Sequence, residues 1–287
     1  MTSALVPEQL DDHPATGLEA PHQLIPIHAV CLDIDDTLVD FTTSARRALA
    51  RMIGRDDMWP TWQRMTEEHV KKVVAGEMDS DSMRLARTKA FMAGLGTVLD
   101  DESVLKLECR RHADMTGAWQ LFDDVVPCLD WLRAAGLKVA AVTNASGPQQ
   151  RAKLHSLGIA RFFDTVVIAG ELGVAKPDPV IFQTACRQLR VSACETLHVG
   201  DRLDTDAVGA QDAGLHGVWL HRRGPQPPGD TGVHVIETLS DLPALIVSEY
   251  LTPAATGPAG VPGQRGPDPV SGAGGAWSTI SGRCHEQ

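Results

Sequence analysis

Short apolar runs alternate with longer stretches of helical spacing along most of this chain. Apolar runs of four to six residues, bounded by turn residues, occur at Ile27 to Leu32, Leu137 to Val142, Thr165 to Ile168, Thr196 to Val199, Gly217 to Leu220 and Val233 to Ile236. Their length suits strands, and unbroken apolarity is what a strand buried on both faces requires. Between them, Cys128 to Ala135, Gln149 to Leu157, Pro179 to Leu189 and Ala207 to Ala213 place apolar residues at helical intervals. Such alternation predicts an α/β fold with a doubly wound parallel-sheet (Rossmann-like) core.

One stretch breaks the pattern. From Ser44 to about Gln120 the chain is rich in Arg, Glu, Met and Ala and carries helical periodicity with almost no strand signal. Because one strand precedes it and the rest follow, it reads as an inserted all-helical domain, residues 44–120, dividing a core of 27–43 and 121–251. An insertion after the first strand lies where the ligand crevice of such a sheet opens, so it is placed to act as a lid. Residues 1–26 mix prolines with polar groups and show no periodicity, and residues 252–287 turn to Gly, Pro, Ala and Ser (Gly257-Pro258-Ala259-Gly260). Neither end buries enough apolar surface to offset its ordering entropy, so both read as disordered.

Bulk properties narrow the class. At 287 residues and 43% hydrophobic, the chain is long enough for a large core plus a smaller domain. Its net charge of -11 argues against nucleic-acid or anionic-membrane partners, which are bound through basic patches. The six cysteines form no C-x-x-C pair and read as small core residues of a protein in a reducing cytoplasm. No signal peptide or membrane span is expected, and no protein partner can be named.

The chemistry gathers at predicted strand ends. The first run ends in Asp33-Ile34-Asp35-Asp36-Thr37-Leu38, where alternate residues put Asp33 and Asp35 side by side and two like charges raise each other's pKa. Further along stand Thr143-Asn144, Lys176-Pro177-Asp178, and Gly200-Asp201 followed by Asp206. In an open parallel sheet the carboxyl ends of strands converge on one crevice. Acids, a hydroxyl, an amide and a lysine collected there suit a phosphoryl group together with a hard cation.

These four segments, in this order and each at a strand end, resemble the motifs of the haloacid dehalogenase-like hydrolases, and the helical insertion resembles that family's cap at its first insertion point. The resemblance implies a Mg2+-dependent phosphatase acting on a small phosphorylated metabolite, a nucleotide or a sugar phosphate, through an aspartyl-phosphate intermediate. It implies Asp33 as nucleophile and Asp35 as the acid and base. Thr143, Asn144 and Lys176 would bind phosphate, and Asp33, Asp201 and the Asp35 main-chain carbonyl would hold the cation, with Asp206 in support of Lys176. Asp35 favours phosphoryl transfer over dehalogenation; a phosphomutase, and a binding protein with a retired site, are the other readings.

The remaining candidates are weaker. Phe41, Arg84 and Arg87 are possible substrate contacts, whereas Trp59, Trp62, His69 and Trp119 read as core or interface residues. Asp36 reads as a turn residue. His155, His198 and His216 read as structural, and Arg222-Arg223 as part of a solvated loop.

Overall fold

A computed structural model describes residues 25–253, apart from 75, 146, 223, 225–228 and 230. The chain enters through a two-residue strand, β1 (Ile25–Pro26), which pairs in parallel with β8 (Tyr250–Leu251) at the far end of the described chain. Those two residues were expected within the disordered arm; main-chain pairing to residue 250 is invisible to local composition. The rest of the arm and nearly all of the expected tail lie outside the described residues.

The central strand, β2 (Ala29–Leu32), is fully buried. Four helices then follow before the chain returns to the core: α1 (Phe41–Ile53), α2 (Trp59–Val74), α3 (Ser80–Gly94) and α4 (Asp101–Thr116). Their starts are set by local chemistry. The Asp40, Asp79 and Asp100 carboxylates accept hydrogen bonds from main-chain N–H groups of the first turns of α1, α3 and α4, which those helices cannot satisfy internally. α1 stops at Gly54, whose φ of 75° is the left-handed conformation that glycine adopts without a Cβ penalty. Leu49, Trp62 and Phe91, on three different helices, join in one small core, with the Trp62 and Phe91 rings edge to face at 4.9 Å. The insertion is thus a helical cap with a core of its own.

The core resumes with α5 (Val125–Ala134), β3 (Lys138–Thr143), α6 (Gly147–Ser156), β4 (Thr165–Ile168), α7 (Ala169–Leu172), α8 (Pro179–Leu189), β5 (Thr196–Gly200), α9 (Gly209–Asp212), β6 (His216–Leu220), β7 (His234–Ile236) and α10 (Leu242–Glu249). Six strands form one parallel sheet in the order β4-β3-β2-β5-β6-β7. One face carries Val30, Leu32, Val139 and Val199 against α5 and α10; the other carries Ala29, Cys31, Ala140 and Val142 against α8. The small residues on the second face let α8 approach closely. Burying both faces is why these strands read as continuous apolar runs. The order reverses around β2, so the carboxyl ends of β2, β3 and β5 open into one crevice.

Among the described residues, Cys31, Cys128 and Cys186 are buried free thiols and Cys194 is an exposed one. Among the described residues, no helix is long and apolar enough to cross a membrane.

Candidate active site

Asp33 is the first residue past β2. Its N–H still bonds the Val199 carbonyl at 3.0 Å, so the sheet register itself fixes the carboxylate at the crevice floor, 5% exposed. Lys176, delivered by the loop after α7, buries its ammonium against Asp33 Oδ1 (2.6 Å), Asp206 Oδ1 (2.6 Å) and the Val142 carbonyl (2.8 Å). One cation thus ties together the ends of β2, β3 and β5. Burial alone would push its pKa down, but the charges of Asp206 and Asp33 raise it above the ordinary lysine range.

Asp206 reaches this point through two local devices. It sits in a π-helical turn over Leu203–Val208, which takes in the first two residues of the helix expected over Ala207 to Ala213. The wider turn carries Asp206 inward, and its N–H bonds the Arg202 carbonyl at 2.9 Å. Gly200 supplies the space, since a Cβ there would lie 2.3 Å from the Asp206 carboxyl carbon. His198 Nε2 lies 3.1 Å from Asp206 Oδ1 and the Arg202 N–H donates to Oδ2 at 3.1 Å. Although burial opposes it, the charge of Lys176 and the His198 contact hold the Asp206 carboxyl well below the usual range.

Oxygen atoms of Asp33, Asp201 and Asp206 all lie within 4.8 Å of one another. Burial pushes Asp33 up to about 7, with Asp206 and Asp35 adding to the rise against the opposing charge of Lys176. It pushes Asp201 up to about 8, aided by the charges of Asp33, Asp206 and Asp36. Lys176 is the single cation shared by Asp33 and Asp206, so with the half-buried Asp201 the three carboxylates remain crowded oxygen donors in excess of positive charge. That donor set fits a hard divalent cation, which takes carboxylate oxygens and relieves their repulsion.

The other expected residues fall around this floor. Thr143 ends β3 and is 2% exposed, with Gln150 Nε2 at 3.4 Å from its hydroxyl. Asn144 was expected to offer its amide to phosphate. Its side chain instead clasps the main chain of Lys176, donating to the carbonyl at 2.8 Å and accepting from the N–H at 2.7 Å, so it fixes the lysine's loop. Asp35 accepts from Gln150 Nε2 at 2.6 Å and pairs with the Lys153 ammonium, both on α6. Neither partner was singled out in the sequence. The available signal was a lysine on the buried side of a helix that directly follows Thr143-Asn144: Lys153 is 1% exposed, its ammonium 5.1 Å from the Phe41 ring centre and 5.0 Å from that of Trp119. Asp36 adopts φ 62° and accepts from the Thr42 N–H (2.9 Å) and hydroxyl (2.6 Å), locking the turn that leads into the cap.

Above Asp35 lies a cavity of about 310 Å³ between core and cap, and Phe41, Arg84 and Arg87 all line it. Arg222, expected in a solvated loop, instead forms a two-pronged pair with Asp124 at 2.7 and 2.8 Å and donates to the Thr37 carbonyl, tying the turn within the first motif to the start of α5.

Residues 27–214 match the family model for haloacid dehalogenase-like hydrolases. The chain belongs to that family. It is 35% identical over 200 residues to glyceraldehyde 3-phosphate phosphatase of Methanopyrus kandleri, covering 68% of this chain and 84% of the relative. To human N-acylneuraminate-9-phosphatase it is 27% identical, covering 77% of this chain and 94% of that one. Among solved structures, the magnesium-bound HAD-hydrolase YfnB of Bacillus subtilis shares the fold with a TM-score of 0.65 at 24% identity, covering 77% of this chain and 99% of that one.

Proposed function

We propose that this hydrolase is a cytoplasmic phosphatase that cleaves a small phosphate monoester through an aspartyl phosphate on Asp33, with residues 44–120 acting as a cap over a core of 27–43 and 121–251. The observation that carries the reading is the pairing of a buried carboxylate, Asp33, with a buried lysine and a second buried acid, Asp206, from the turn after β5, while a further acid, Asp35, stands two residues away and pairs with Gln150 and Lys153 instead. One carboxylate is then available to bond to phosphorus and another to move a proton.

An oxygen of Asp33 attacks phosphorus as the ester P–O bond breaks, and Asp35 gives its proton to the departing oxygen. Water then attacks the aspartyl phosphate, Asp35 takes its proton, and inorganic phosphate leaves with Asp33 restored. Thr143 and Lys176 donate to the phosphoryl oxygens, and Lys176 keeps Asp33 oriented. Asp33, Asp201 and the Asp35 carbonyl would hold Mg2+, which when bound neutralises charge on the transferring phosphoryl group. Gln150 and Lys153 fix where the Asp35 carboxylate points, and the cap keeps bulk water from the intermediate.

A sugar phosphate is favoured over a nucleotide as substrate, because both relatives above are named for phosphorylated sugars or sugar acids. Retention of Asp35 supports phosphoryl transfer over dehalogenation. Release of phosphate from p-nitrophenyl phosphate tests the proposal: wild type should turn it over, and Asp33→Asn should lose at least a thousandfold in kcat with an unchanged circular dichroism spectrum. Undiminished turnover by Asp33→Asn removes the nucleophile assignment.

A further inference from the structure

The cap side of the cavity is charged in one sense. Arg84, Arg87 and Arg111 line it, beside a His112 whose burial and cationic neighbours push its pKa down and leave it neutral. Arg87 and Arg111 are 6% and 5% exposed, and the carboxylate buried with them is that of Glu108. The other acids nearby do little to balance them. Asp81, which pairs with Arg84 at 3.0 Å, has a side chain 32% exposed, and Glu67 is exposed at the rim. On the floor below, the charge of Asp35 is taken by Lys153.

Two further signs show that the balance is incomplete. Burial, together with the charges of Arg111 and Arg84 and against the pull of Glu108, lowers Arg87 to about 10. The Arg87 Nε–H is buried without an acceptor among the described residues. Buried guanidinium groups in excess of carboxylate are costly in an apolar setting, here walled by Trp59, Trp62 and Met83, unless an anion joins them. Guanidinium groups are also the side chains best shaped to grip a carboxylate or phosphate in two-pronged fashion.

We infer that the leaving group of the substrate carries a second anionic group, a carboxylate or a further phosphate, which Arg84 and Arg87 bind at the cap end of the cavity while its phosphate ester sits over Asp33. This deepens the phosphatase reading and rests on it for the orientation of the substrate. Arg84 is the better placed to swing toward a ligand, since its side chain is 24% exposed and its second contact, to Gln149, is long at 3.5 Å.

A matched pair of probes tests the inference. 3-Phosphoglycerate and glycerol 3-phosphate differ in a carboxylate against a hydroxymethyl group, and fructose 1,6-bisphosphate against fructose 1-phosphate separates a second phosphate from a carboxylate. The member with the extra anion should be preferred in kcat/KM in at least one pair by roughly 10-fold to 100-fold, the range for a hydrogen bond to a charged partner. Arg84→Gln should narrow that ratio to within about threefold and Arg84→Lys should restore part of it. Calorimetric binding of the same pairs to the full-length Asp33→Asn protein reads the subsite without turnover. If that protein binds both members of both pairs equally, the inference is overturned. If no monoester is hydrolysed by wild type yet the binding preference is present and lost in Asp33→Asn/Arg84→Gln, the phosphatase reading falls and the anion subsite stands.

Discussion

The cap is held together by a buried ionic cluster whose removal has a calculable cost. Glu108, 1% exposed, accepts from Arg111 Nε (2.9 Å), Arg111 Nη2 (2.5 Å), Arg87 Nη2 (3.1 Å) and the Thr88 hydroxyl (2.8 Å). The Arg87 guanidinium also lies 4.1 Å from the centre of the Trp62 ring, so the cluster joins α2, α3 and α4. Glu108→Gln keeps the shape but removes the charge, and it turns one acceptor oxygen into a donor that faces guanidinium N–H groups. Two buried cations are then left without a carboxylate. Breaking a buried pair by removing one partner costs about 3–5 kcal/mol, whereas replacing the whole cluster with apolar residues is often neutral. We therefore expect Glu108→Gln to lower the urea midpoint by the equivalent of 3–5 kcal/mol. The triple replacement Arg87→Met, Glu108→Leu and Arg111→Met should recover most of that. Tryptophan fluorescence in a background with Trp119, Trp131, Trp219 and Trp277 replaced by Phe, leaving Trp59 and Trp62 in the cap, compared with circular dichroism of the whole fold, would show whether the cap melts first. The pH dependence supplies an independent check. Burial pushes Glu108 up, yet the hydrogen bonds and charges of Arg111 and Arg87 outweigh it and hold the carboxyl below the ordinary value of 4.5. A depressed carboxyl stabilises the fold fully above that value and loses its contribution as the pH falls through the folded pKa. The wild-type protein should therefore lose its advantage over Glu108→Gln only in acid. A loss of less than about 1 kcal/mol at neutral pH, or an advantage that grows in acid, would refute the reasoning.

Three further outcomes follow from the crevice. Gly200→Ala places a methyl group against the Asp206 carboxylate, so it should displace Asp206, release Lys176 and cut kcat by at least tenfold with a smaller change in KM, measured on p-nitrophenyl phosphate. Lys153→Met removes the cation that holds Asp35 while keeping the apolar stem between Phe41 and Trp119; it should lower kcat on p-nitrophenyl phosphate more than it changes KM, and an unchanged kcat would remove Lys153 from the positioning of Asp35. Dialysis against EDTA should abolish turnover and added Mg2+ should restore it, whereas Asp201→Asn should raise the Mg2+ needed for half activity; full activity after EDTA would eliminate the cation from the reaction.

What the sequence reveals about this molecule divides along the range of the interactions concerned. Thr165 to Ile168 and Pro179 to Leu189 are read to the residue, because the first is an apolar run between turn residues and the second opens with Asp178 as its cap and Pro179 at its first position. Asp33 is legible as well, because a carboxylate at the end of a fully apolar strand has no use in the core. The ion pairs that aim these groups are not. Arg222 and Asp124 are 98 positions apart and Lys153 and Asp35 are 118 apart, so the local surroundings of Arg222 give only the polar signal of a loop. Helical periodicity can place Lys153 on the same face as Gln150 and Leu157, yet it cannot say which strand end that face will meet. Glu108 shows the same limit inside the cap: a glutamate with Lys106 and Arg110 two positions to either side reads as solvated until the packing of α3 on α4 brings Arg87 to it. Residues that perform chemistry carry a local signature because their type is wrong for their position. Residues that position them look ordinary, and only the folded contacts separate them from the solvated charges they resemble.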